Sequence, residues 1–224
     1  MTALLYTIAP VAAALLGATV TAVYPPSAWT RSVVQHLAAG VVFAAAAVEI
    51  LPDVLRAHAP LPTLVGTALG VAAMVLLQKA GDRFTGPAGL TATATTDVFI
   101  DGFVLGLSFL HGARDGLLLT IALTLELLFL GLSVAASLGN SSKVRVVALT
   151  GVALALPIGT AAGLMLDGLP ANILTSFYAF GLIALLYLVT EELLKEAHET
   201  EDTALMPIAF FAGFISLIFL EELL

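Results

Sequence analysis

The sequence predicts an all-α, polytopic membrane protein, and three observations lead there. Of 224 residues, 60% are hydrophobic and only 11% charged. Mean hydropathy is +1.07, far above the range of water-soluble domains. Apolar runs of about 18 to 25 residues, the length that crosses a bilayer as a helix, recur along the whole chain between short connections. The lipid bilayer is therefore the expected partner. Cysteine is absent, which excludes a disulfide framework, a thiolate metal site and a c-type haem motif. The net charge of −8 is scattered over spans and span ends, which argues for no nucleic acid partner.

Eight spans are expected, at approximately 3–24, 30–55, 60–79, 91–111, 116–138, 145–166, 172–194 and 204–222, in a single transmembrane domain over 1–224. The first lacks a basic n-region and seven more follow it, so it reads as a retained helix and not a cleaved signal peptide. It stops at "YPPSAW", where Tyr24 and Trp29 suit a membrane interface. The second carries Glu49 and Asp53 towards its far end. The third stops at "GDRFTGPAG" and the sixth at "GLPAN", both Pro/Gly turns. The fourth holds Asp97 and Asp101, the fifth Glu126, and the seventh ends in "LVTEELLKEAHE". No connection has room for a separate soluble domain. Arg31, Lys79, Arg83, Lys143, Arg145 and Lys195 lie at odd-numbered connections, against Arg56 and Arg114 at even-numbered ones. The positive-inside rule then places the odd connections in the cytoplasm and both termini outside the cell membrane.

The buried acids carry the functional signal. Ionised carboxylates at bilayer depth cost roughly 2.5–3.5 kcal/mol on the scales that weigh them least. Asp97 and Asp101, four residues apart, share one helical face at mid-membrane. Glu126 on the antiparallel fifth span reaches a comparable depth. Gly102, Gly106, Gly131 and Ser133 form small-residue surfaces that admit close helix neighbours. The bland alternative keeps the three acids neutral and hydrogen-bonded to Thr93, Thr96 or Thr124. Glu49 and Asp53 face an outer vestibule, while Glu191, Glu192, Glu196 and His198 stand at the cytoplasmic exit, so the acids trace a cation path. The other three histidines read as interfacial residues. An acid pair followed by His58 in span 2, and by His198 in span 7, suggests an inverted repeat in which spans 1–3 mirror 6–8 around 4 and 5.

The stretches "AAGVVFAAAAVEILPDVL", the Asp-Gly and Leu-Gly pairs of spans 4 and 5, "LPIGTAAG" and "LLYLVTEELLKEAHE" resemble the ZIP family of divalent-metal transporters over nearly the whole chain. That resemblance implies a 3+2+3 helical arrangement and uptake of zinc, manganese, iron or similar ions into the cytoplasm. The family's binuclear site is altered. Where span 4 of the family reads His-Asn-x-x-Glu-Gly, "DVFIDG" supplies Asp97, Val98 and Asp101; where span 5 carries further ligands, "ELLFLG" retains Glu126 but has Leu127 and Leu130. Leu156 stands before Pro157 where many members have Glu-Pro, and the His-rich loop between spans 3 and 4 is missing.

One carboxylate site thus remains, with Asp97, Asp101 and Glu126 as metal ligands. Oxygen donors suit Mn²⁺, Mg²⁺ or Fe²⁺, whereas zinc gains more from imidazole and thiolate. Without a cation, three clustered carboxylates cannot all ionise, so at least one holds a proton that an arriving metal displaces. The expected function is transport of a divalent metal ion (Zn, Mn or Fe), the ion being substrate, with no enzymatic activity; the partner set leaves room for a homodimer. The alternative is a ZIP-like relative that has lost ordinary metal transport and carries another solute or has a structural or sensing role, a reading favoured by Leu127, Leu130 and Leu156. Intramembrane aspartyl hydrolysis fits less well, since Asp97 and Asp101 share a helix and no Gly-x-Gly-Asp signature is present.

Overall fold

The computed structural model describes residues 2–24, 26–81, 83, 87–137, 142–198 and 203–223, with side chains throughout except at 87, 88, 90, 136, 137, 142–147 and 196. All regular structure among them is helical, and seven helices are long and apolar enough to cross a membrane. They are α1 (Thr2–Val23), α2 (Ala28–Arg56), α3 (Pro60–Gly81), α4 (Pro87–His111), α5 (Ala113–Ser137), α7 (171–197) and α8 (Leu205–Leu223). An eighth, α6 (Ser142–Leu164), has a shorter apolar stretch, Ala148–Leu164.

Local chemistry sets several boundaries. Ser27 caps α2 by accepting a 3.1 Å hydrogen bond from the Thr30 amide. His58 takes φ 47°, a left-handed residue just past the helix end, and turns the chain directly into α3. Between α4 and α5 only Gly112 is non-helical.

Both α2 and α7 contain a π-helical turn, at Ala46–Ile50 and Leu188–Leu193. The amide of Leu51 donates to the Ala46 carbonyl and that of Leu194 to Val189, five residues back instead of four. In α2 the turn ends one residue before Leu51 gives way to Pro52, which has no amide proton to give its own i−4 carbonyl. In α7 the Thr190 hydroxyl donates to the carbonyls of Leu186 (3.0 Å) and Tyr187 (3.3 Å). Each widened turn carries acids: Glu49 in the first, Glu191 and Glu192 in the second.

Lipid gives no hydrophobic drive between helices, so packing depends on close backbone approach. Four pairs dominate, each of two helices that run in the same direction: α4 with α6, α1 with α5, α2 with α8 and α3 with α7. Glycine makes each one close. The Leu156 carbonyl stands where a Cβ on Gly102 would be, and the carbonyls of Leu128, Ala14, Phe210 and Ser176 do the same for Gly17, Gly131, Gly40 and Gly66. Exchanging α1 with α6, α2 with α7, α3 with α8 and α4 with α5 leaves this pairing unchanged. Burial sorts the helices: 61% of the apolar window is buried in α2, α4 and α5, against 17% in α3 and 22% in α8. The acids therefore sit on the inner helices. Both termini gather at one end with the α2–α3, α4–α5 and α6–α7 connections, as Tyr6 against Phe109 and Arg114 against Glu221 show. We call this the terminal end; the opposite, basic end holds Arg31, Lys79, Arg83 and Lys195.

Candidate functional site

Asp97 and Asp101 lie about 15 and 21 Å along α4 from its start at the basic end, at 1.5 Å per residue. Glu126 is placed about 20 Å along α5 from the terminal end, so it meets Asp101 at similar depth. These three side chains are nearly sealed, at 7%, 2% and 3% exposure. The carboxyls of Asp101 and Glu126 hydrogen-bond each other, one donating and the other accepting. Such a bond requires a proton between them. Oδ2 of Asp101 and Oε2 of Glu126 nevertheless have no partner.

A fourth acid joins them. Glu192, from the π turn of α7, acts electrostatically on Asp97, Asp101 and Glu126 alike. The charged groups acting on those three are all carboxylates, and none of the ion pairs among the described residues involves them. Thr93, Thr96 and Thr124 donate instead to the carbonyls of Gly89, Ala92 and Thr120 in their own helices, at 3.1, 3.0 and 2.7 Å. Asp101 and Glu126 thus keep two orphaned buried oxygens beside Asp97, and every donor atom that these acids offer is an oxygen. From the basic end, a cavity of about 160 Å³ between α3 and α4, lined by Leu77, Gly81, Thr93 and Thr96, reaches Asp97.

The remaining candidates divide between the ends. Glu191, the neighbour of Glu192 in the same π turn, is exposed on the outside of α7. His198 is exposed, with its ring 5.1 Å from that of buried His36; the Glu196 side chain lies outside the described residues. At the terminal end Glu49 hydrogen-bonds Asp115, and Asp53 pairs with His111 at 3.1 Å and with Arg56 at 3.4 Å. Sequence reasoning missed His111 and Asp115. Their signal was the pair at spacing four astride a glycine in "HGARD", at the one-residue connection between α4 and α5. Leu127 and Leu156 are fully buried and Leu130 partly so, and all three belong to or pack against the apolar core.

No protein-family model and no curated protein matches this chain.

Proposed function

We propose that this chain is a ZIP-like carrier in which a divalent cation binds between α4 and α5, held by Asp97, Asp101 and Glu126 with Glu192 from α7, and passes towards the basic, cytoplasmic end. The observation that carries this is the buried Asp101–Glu126 pair, which leaves two oxygens without partners at mid-depth. A buried carboxylate oxygen with nothing to bond is destabilising by about 1–3 kcal/mol or more, and a cation removes that deficit. The pairing that survives exchange of α1–α3 with α6–α8 supports a 3+2+3 inverted repeat, a construction suited to exposing one central site alternately to either side. The π turns mark α2 and α7 as the helices whose local geometry can shift, since such turns concentrate at functional sites. Flux of Mn²⁺ into proteoliposomes, compared between the natural chain and Asp101→Asn, tests the proposal.

A second reading has one observation in its favour. Leu127 and Leu156 fill, at 0% exposure, the volume where further ligands would stand under the resemblance. A relative that has lost ordinary metal transport and keeps a proton-sharing acid pair for sensing, or for another solute, accounts for them. The same flux assay, run with protein shown to be folded, separates the two.

A further inference from the structure

Where α2 ends and α4 turns into α5, three side chains from three helices converge. His111 Nε2 lies 3.1 Å from Asp53 Oδ1 and 3.6 Å from Asp115 Oδ2. One ligand atom from each residue falls within 4.8 Å of the others. Donors bound at about 2.1 Å and set at octahedral or tetrahedral angles are about 3.0–3.4 Å apart, so two edges of a coordination polyhedron are nearly formed. The third, from Asp53 to Asp115, spans no more than 4.8 Å.

A separate observation points into the same place. Glu49, 7% exposed, hydrogen-bonds Asp115 from the π turn of α2 and leaves its Oε1 without a partner. The imidazole is held by its surroundings: the His111 ring stands edge-on to Tyr178, whose hydroxyl donates to the Leu107 carbonyl at 3.2 Å. Gly112 gives Asp115 room, because a Cβ there would sit 3.3 Å from Asp115 Oδ2. Of the neighbouring cations, Arg114 is tied to Glu221, and Arg56 is 75% exposed, so its pairing with Asp53 is readily exchanged for a stronger partner.

We propose that Asp53, His111 and Asp115 form a second divalent-cation site, at the terminal mouth of the bundle, with Glu49 as the inward ligand that receives the ion. The site goes beyond the carboxylate centre proposed above and does not depend on it. Its chemistry differs: a half-exposed imidazole with carboxylates suits zinc-like borderline ions and lets them exchange with water, whereas the central acids are sealed and offer oxygen only.

Co²⁺ titration of the full chain in detergent, read by visible absorption and by bound metal per chain, tests this. The background is Asp101→Asn with Glu126→Gln, which removes the charge of the central hydrogen-bonded pair. We expect that variant to retain one Co²⁺ per chain, and addition of His111→Gln or Asp115→Asn to weaken its binding at least about tenfold, as loss of a ligand must exceed the effect of losing a ligand's support. Absence of Co²⁺ from the background variant, or affinity indifferent to both mouth substitutions, overturns the proposal. If the background variant does not fold, anomalous scattering from Zn²⁺-loaded crystals of the natural chain decides: a peak at bonding distance from His111 Nε2 supports the site, and its absence there overturns it. Metal at the mouth with none at the central acids leaves this site standing and removes the central one.

Discussion

Asp101 on α4 and Glu126 on α5 hydrogen-bond each other through their carboxyls, while Oδ2 of the first and Oε2 of the second stay without partners. Under the proposed function, the proton that this bond requires and a cation at the two vacant acceptors would compete. Binding of Mn²⁺ is expected to release about one proton per ion. The sign follows from the competition: at lower pH more oxygens carry protons, more must be displaced, and affinity falls. Calorimetry in buffers of different ionisation enthalpy counts the protons; binding with none released means that these carboxyls are not the ligands.

Replacing Asp97 by His places an imidazole donor beside the pair. Asp97→His should raise the preference for Zn²⁺ over Mn²⁺ by about tenfold, because zinc uses imidazole better than the harder ion does. Competition binding of the two ions checks it. An unaltered ratio removes Asp97 from the ligand set.

The two tandem acids of α7 should behave oppositely. Glu192 acts on all three central carboxyls, whereas Glu191 is exposed. Glu192→Gln is expected to weaken Mn²⁺ binding at least about tenfold, on the scale of lost ligand support, and Glu191→Gln to leave it unchanged. Equal effects of both would show that Glu192 contributes only general negative charge.

Much of the helical architecture is legible in the sequence, because apolar runs of membrane length can satisfy their backbones in few other ways. Asp97, Asp101 and Glu126 stand out for the same reason: each is an acid in an apolar run, and a spacing of four puts the first two on one face. Glu192 was not distinguishable from Glu191. A π turn shifts the register of everything beyond it, and nothing in "LVTEEL" announces one. His111 and Asp115 look like interfacial residues until Asp53, nearly sixty residues earlier in the chain, arrives beside them; that convergence is tertiary. Nor do the many glycines reveal that Gly102 faces Leu156 while Gly131 faces Ala14.

The α4–α6 seam is expected to be intolerant of a single methyl. A Cβ on Gly102 meets the Leu156 backbone, so Gly102→Ala must part the helices and should cost about 1–3 kcal/mol. It also moves the segment bearing Asp101, so metal affinity should fall with stability. Gly151, whose Cβ position is open, is the control: Gly151→Ala should be neutral or stabilising by up to about 1 kcal/mol. Thermal unfolding in detergent compares them, and equal melting of the two variants contradicts the close packing.

The most direct test is uptake of Mn²⁺ by proteoliposomes carrying either the natural chain or Asp101→Asn, with folding of both verified by monodispersity and melting. Asp101→Asn keeps the shape of the side chain and a hydrogen-bond donor for Glu126 but removes the charge that a cation needs. The account predicts saturable Mn²⁺ flux through the natural chain and its loss in the variant. Flux at the natural rate through folded Asp101→Asn, or none through the folded natural chain, contradicts it.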